Sequence, residues 1–223
     1  MESSLIKVTP WDEAAFGVPT WELTAYNEET ICHALDLIGH HSIRVDPLVD
    51  KRLLHENGFY YCDTLIEPYC NQDNLIVYRD QRATISNIFE KRDLLKISRK
   101  AFKYDRFHRD FMLDRNKADD RYQNWLGELI KAKQVQGLFW EQSLAGFIAC
   151  IDNKLILHAV SDDFRGNGYA KYWWSEVSVG VLSAGHEEVQ SSISAANIAA
   201  LNLYASLGYR FKKPVDLYHK FVC

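Results

Sequence analysis

"HAVSDDFRGNGYAKYWWSEV", residues 158–177, is an apolar run that ends in two acids, passes through Arg-Gly-Asn-Gly-Tyr-Ala and restarts with the spacing of an aromatic helix. Gly166 and Gly168 let the chain take positive φ and let another molecule come close to its amides. The residues after them read as a helix N-terminus, with free N–H groups and the positive end of the helix dipole. The stretch is an anion cradle in outline, although a turn before a core helix would use the same letters. A dinucleotide fingerprint would want a third small residue where Lys171 stands, and a P-loop would want Gly-Lys-Ser/Thr, which occurs nowhere in the chain.

The elements around the cradle follow from periodicity. Upstream, "VQGLFWE", "SLAGFIACID" and "KLILHAVS" are three β-rich runs joined by short polar turns, which predicts an antiparallel meander. The cradle opens a helix over about Tyr169 to Ala184, "EEVQSSIS" is the next strand, "NIAALNLYASLGY" the next helix with Gly208 as C-cap, and "FKKPVDLYHKFV" supplies closing strands. Further upstream, "ISNIFE" reads as a strand, "KRDLLKISRKAF" and "RYQNWLGELIKA" as helices, and the charged stretch 102–120 between those helices as a functional loop. The fold class is α/β (α+β), with a mixed, mostly antiparallel central sheet. A polar, mixed stretch at 69–84 suggests a boundary, with a small N-terminal α/β lobe at 1–82 and the main domain at 83–223. "LLHENGFYY" (53–61) echoes "LYASLGYRF" (203–211) in helix, glycine, aromatic and strand layout, with Leu54 where Tyr204 stands.

Composition sets outer limits. The 223 residues are 47% apolar and 13% aromatic, ample for a packed core. A formal net charge of −4 and a pI near 6.1 give no overall attraction to nucleic acid or an anionic membrane surface. No apolar run reaches the ~18 residues of a membrane span and the first residues lack an apolar leader core, so a cytoplasmic location is expected. Five cysteines, an odd number without Cys-x-x-Cys, suit free thiols, and no His/Cys/Asp cluster has metal-ligand spacing, so no metal is expected.

Arg165, Gly168 and Ala170 in the pattern Arg-x-x-Gly-x-Ala resemble the coenzyme A pyrophosphate loop of the GNAT superfamily of acetyltransferases. Asn197, Ala200, Tyr204 and Gly208 resemble that superfamily's last helix, and the two motifs stand in the right order. The resemblance implies the GNAT fold and acetyl-CoA as co-substrate. It assigns Ala159, Val160, Arg165, Gly166, Asn167, Gly168, Tyr169, Ala170 and Asn197 to the cofactor. Seven residues, close to two helical turns, put Asn197 and Tyr204 on one side of their helix.

Acetyl transfer to an amine needs a free nucleophile, donors for the oxyanion and an acid for the departing thiolate. Tyr204 is the candidate acid, and backbone N–H groups around His158 to Ser161 are the candidate oxyanion donors. The base is either His158 or water. Asn197 as a plain N-cap and Tyr204 as a core aromatic are the structural alternatives.

"PWDEAAFGV", "AFKYDRFHRD" and "RYQNWL" are together similar to the bacterial TDP-fucosamine acetyltransferases, which N-acetylate an amino-dideoxy sugar on a nucleotide carrier for surface polysaccharide. That similarity implies an acceptor site near Arg106, Phe107, Tyr122 and Trp125, with His108 and Asp110 beside them. An arginine suits a diphosphate and an aromatic ring a nucleobase or sugar face. Another small amine as acceptor and a silent coenzyme-binding module stay open, as does a homodimer.

Overall fold

The computed structural model describes residues 5–103 and 105–223. The chain divides into two compact units. One comprises residues 1–65, 103–121 and 214–223, the other residues 66–102 and 122–213. The first unit is therefore assembled from three pieces of chain, whereas the sequence suggested one linear border at residue 82.

In the first unit, β1 (Ile6–Val8) pairs antiparallel with β2 (Thr20–Leu23), and β2 runs parallel to β3 (Gly39–Val45). The far end of β11 (Arg210–Val222) lies antiparallel to β3, from Asp216 opposite Val45 to Val222 opposite Gly39. Helix α1 (Pro10–Phe16) starts on a proline, which fits the first turn, and stops at Gly17, whose φ of 69° closes the end. Helix α2 (Glu28–Leu35) is capped by Asn27, whose side chain accepts from the Thr30 N–H. Ile31, Ala34, Ile43, Leu54 and Phe59 form the unit's apolar centre.

In the second unit the strand order is β4 (Tyr60–Cys70), β9 (Val189–Ser191), β8 (Lys154–Val160), β7 (Ser143–Ile151), β6 (Val135–Trp140) and β5 (Ala83–Ser86). Only the β8–β9 junction is parallel, so this sheet is mixed and mostly antiparallel, with the meander where the sequence placed it. Leu155, Leu157 and Ala159 are buried and alternate along β8 with less buried residues, the period-2 pattern of a strand with one face in the core. Trp173, Val177 and Val181 recur every fourth residue on α6 (Ala170–Ser183) and turn one stripe of it inward. The sequence's single strand at 187–194 is two short ones, β9 and β10 (Ile193–Ser194), with the exposed Ser192 between them.

Helix α4 (Lys91–Ala101) lies where the sequence placed it, while α5 (Arg115–Lys131) starts six residues earlier than the pattern from Arg121 suggested. The segment 102–120 is thus a loop only over its first part. The echo between 53–61 and 203–211 is real at the level of hydrogen bonds. After α3 (Arg52–Glu56), Phe59 N–H bonds to Leu54 O and Gly58 N–H to His55 O; after α7 (Ile198–Ser206), Tyr209 N–H bonds to Tyr204 O and Gly208 N–H to Ala205 O. Gly58 and Gly208 both take positive φ, and Leu54 and Tyr204 are both 0% exposed.

Candidate active site

β8 leads into a 3-10 turn at Asp162–Phe164 and then into the two glycines, whose φ values of 78° and 72° are left-handed. A Cβ built on Gly166 or Gly168 would meet nothing within 4 Å, so the space above the turn is open. Among the described residues, nothing accepts from the N–H groups of residues 166 to 171; the first amide of the helical stretch with a partner is Tyr172, bonded to Tyr169 O at 3.0 Å. Six consecutive donors leading into a 14-residue helix are a geometry that suits an anion. The Arg165 side chain is spent on the turn itself: Nε donates to Val160 O (2.8 Å), one terminal nitrogen to Asp162 (2.7 Å) and the other to Ala101 O (3.3 Å). Its three hydrogen bonds shape the loop. Tyr169 stacks on Trp140 with ring centroids 3.8 Å apart, which anchors the helix start.

β8 and β9 pair at Lys154–Gln190 and Leu155–Ser191, and among the described residues the remainder of β8 has no strand partner on that side. Ser161 N–H donates to Ala145 O at 2.8 Å on the β7 side. By alternation the Ala159 N–H turns the same way, and those of His158 and Val160 turn into the gap. The oxyanion donors expected between His158 and Ser161 thus narrow to two.

Tyr204 reaches the same gap from α7. Its hydroxyl lies 3.1 Å from His158 Nε2, which is also 3.4 Å from Ser191 Oγ. Burial pushes the Tyr204 hydroxyl up to about 12, against the opposing effect of the Ser191 and Trp174 side chains. Burial likewise pushes His158 down to about 4, so its ring is neutral at pH 7. The ring meets Trp174 edge-on at 5.0 Å. Asn197 caps α7, its side chain accepting from Ala200 N–H at 3.1 Å, and is exposed, whereas Tyr204 on the same helix is fully enclosed.

Residues 107–218, half of the chain, match the family profile described as an acetyltransferase (GNAT) domain. The chain belongs to this family. No curated protein matches it. Among solved structures, a GCN5-related N-acetyltransferase from Sphaerobacter thermophilus is 14% identical with a TM-score of 0.65, covering 97% of this chain and 76% of that one. A functionally unknown conserved protein from Staphylococcus epidermidis is 13% identical with a TM-score of 0.68, covering 100% and 93%. A tandem GNAT protein from the clavulanic acid biosynthesis pathway is 11% identical with a TM-score of 0.55, covering 92% and 76%. At these identities the likeness is one of fold, and the fold is that of a GNAT acetyltransferase, whose family co-substrate is acetyl-CoA.

The acceptor residues expected in this GNAT chain fall into both units. Phe107 is 3% exposed, with the Arg106 and Arg121 guanidinium groups 4.6 and 4.2 Å from its ring centroid and Phe16 at 5.4 Å. His108 is buried between Asp105 and Asp119; burial opposes its charge, but the two carboxylates raise its pKa on balance. In the second unit Tyr122 stacks on Phe102 at 4.2 Å, with Trp125 at 6.4 Å. Phe107, His108 and Tyr122 are therefore built into the protein's interior, and Arg106 and Trp125 are the more accessible of the five.

One cluster has no signal in the sequence because its members lie 70 and 109 residues apart. Asp110 takes His40 Nε2 (2.9 Å) and His219 Nδ1 (2.7 Å) on one oxygen, and the Tyr60 hydroxyl and Met112 N–H (both 2.8 Å) on the other. The ligand atoms of His40, Asp110 and His219 lie within 4.8 Å of one another, a spacing a metal ion could use. The carboxylate's four acceptor positions are already filled by hydrogen bonds that tie the 105–114 segment to β3, β4 and β11, while His219 Nε2 is buried with no partner among the described residues. Ser191, close to His158, was likewise invisible at a separation of 33 residues.

Proposed function

We propose that this GNAT chain transfers the acetyl group of acetyl-CoA to the amino group of a nucleotide-linked amino-dideoxy sugar, with Tyr204 as general acid and a cytoplasmic site of action. The observation that carries the reading is one gap in the sheet holding two unpaired backbone N–H groups and a tyrosine hydroxyl, reached from six open amides. Residues 166 to 171 seat the pyrophosphate, and the pantetheine arm enters where β8 leaves β9. The amine lone pair attacks the thioester carbon, and His158 and Val160 N–H stabilise the oxyanion. As the carbonyl re-forms, the C–S bond breaks with its electron pair going to sulfur, and the Tyr204 proton completes the thiol. The proton released by the new amide nitrogen restores the tyrosine through water, because a neutral His158 with its pKa near 4 is a weak base.

The sugar-nucleotide acceptor rests on the resemblance of "AFKYDRFHRD" and its companion segments, with Arg106 for the diphosphate and Trp125 for a ring face. In this reading residues 1–82 form a lobe without chemistry of its own and 83–223 the catalytic part. A coenzyme-binding module without turnover is favoured by one observation, the 0% exposure of Tyr204. The deciding experiment is thiol release from acetyl-CoA across a panel of nucleotide amino sugars, free amino sugars, amino acids and polyamines. Turnover with the nucleotide sugars supports the proposal. Turnover with another amine alone moves the acceptor, and none with any amine, despite coenzyme binding, leaves the module.

A further inference from the structure

We infer that the His158 imidazole is a hydrogen-bond donor that holds the Tyr204 oxygen, leaving the tyrosine's own proton free for the gap between β8 and β9. The inference deepens the acetyl-transfer reading and makes His158 a positioning residue. It follows from counting protons at three side chains. The Ser191 hydroxyl has one proton, which it gives to Leu155 O at 2.8 Å. Toward His158 it can then only accept.

Two tautomers of a neutral imidazole remain. With a lone pair on Nε2, the Tyr204 proton would be locked into that nitrogen at 3.1 Å, and Ser191 at 3.4 Å would set oxygen and nitrogen lone pairs against each other in an enclosed site. With the proton on Nε2, the nitrogen donates to Tyr204 and leans on Ser191 as a second acceptor. Both Nε2 contacts are then donor to acceptor, and the tyrosine proton is not held by the histidine.

The groups facing this pair are the Trp174 indole from α6, Ser191 from β9, Tyr209 just ahead of β11 with its ring 4.8 Å from Tyr204, and Cys150 from β7. Burial pushes the Cys150 thiol up to about 11 and raises Tyr209, so all four are uncharged at neutral pH. A tyrosinate formed as the thiolate takes its proton would have no cation beside it, and the Nε2–H bond adds to the stabilisation that the Ser191 and Trp174 side chains offer.

Two measurements test the assignment. Nitrogen-15 shifts of the wild-type histidines should show His158 as the Nε2–H tautomer between pH 6 and 8; an Nδ1–H tautomer overturns the inference whether or not the chain is an enzyme. In turnover, His158→Leu should lower kcat about ten- to hundredfold with the KM for acetyl-CoA unchanged. His158→Gln places an amide N–H near the Nε2 position and should recover kcat to within about threefold of wild type. A glutamine variant as slow as the leucine one, with the acid limb of the pH profile gone, makes His158 a base and overturns the inference. Tyr204→Phe, assayed alongside, isolates the other failure: unchanged turnover there refutes the acid role of Tyr204 and leaves the tautomer to be decided by the shifts alone.

Discussion

Gly168→Val separates what the cradle does for binding from what it does for folding. At φ of 72° a side chain is strained, which costs roughly 1–3 kcal/mol, and a β-branched residue stands at the upper end. No packing cost is added, because a Cβ there meets nothing within 4 Å. For a chain of this length that corresponds to a melting temperature lower by about 2–4 °C per kcal/mol, and the protein stays folded. Gly208→Ala is the control: at φ of 83° its Cβ would lie 1.9 Å from Asn74 O, so strain and backbone overlap combine and the variant should be far less stable. Binding reverses the order. Valine at 168 occupies the space through which the pyrophosphate approaches the amides, and losing one to two charge-assisted bonds of about 1.5–3 kcal/mol each raises Kd at least tenfold. Calorimetry with coenzyme A reads the affinity, and thermal unfolding reads the rest. A Gly168→Val protein that binds coenzyme A as tightly as wild type places the pyrophosphate elsewhere and refutes the reasoning.

Tyr204→Phe keeps the ring in its enclosed seat and removes the proton, so kcat should fall about 10²–10⁴-fold with both KM values nearly constant; a kcat within about threefold of wild type, with chemistry rate-limiting, removes Tyr204 from the mechanism. Arg106→Ala should weaken the nucleotide-sugar substrate by about 1.5–3 kcal/mol and leave acetyl-CoA affinity unchanged, while equal losses for both would mark a folding defect. Stability should rise with pH from about 4 to 6.5. His158 and His219 are each pushed down to about 4 by burial, so the unfolded chain binds more protons in that window, and the stability they contribute above 6.5 is lost as pH falls. His108 acts in the opposite sense and in another window: its raised pKa gives stability that is present below about 6.5 and lost as pH rises above it. In thermal unfolding, His108→Asn should therefore remove that alkaline-side loss and leave the slope below about 6.5 unchanged.

Where local rules decide the structure, the sequence could be read directly. The meander follows from alternation along residues 135–160, and α6 from the inward recurrence at 173, 177 and 181. The helix ends at Gly58 and Gly208 follow from a conformation that favours glycine. The early start of α5 was hidden because "RNKADD" offers one buried residue, Ala118, and no apolar period. Tyr204 was placed on the right helix, but its partner Ser191 comes from a strand elsewhere in the chain, and no spacing encodes that meeting. Phe107, His108 and Asp110 were picked out as a set, yet their surroundings depend on acids at 105 and 119 and histidines at 40 and 219, and on enclosure that only tertiary packing supplies.

The six unbonded amides at 166–171 have a consequence for anyone who measures this protein's stability. An anion that seats on them binds the folded chain and finds no such seat on the unfolded one, so it shifts the unfolding equilibrium by mass action. At a concentration one hundred times its dissociation constant the gain is about 2.7 kcal/mol, comparable to a disulfide. Melting temperatures taken in phosphate or sulfate will exceed those in a chloride buffer of the same pH and ionic strength. The choice of buffer is thus a ligand titration in disguise, and two laboratories will agree on a stability only once coenzyme saturates the loop or every small oxyanion is dialysed away.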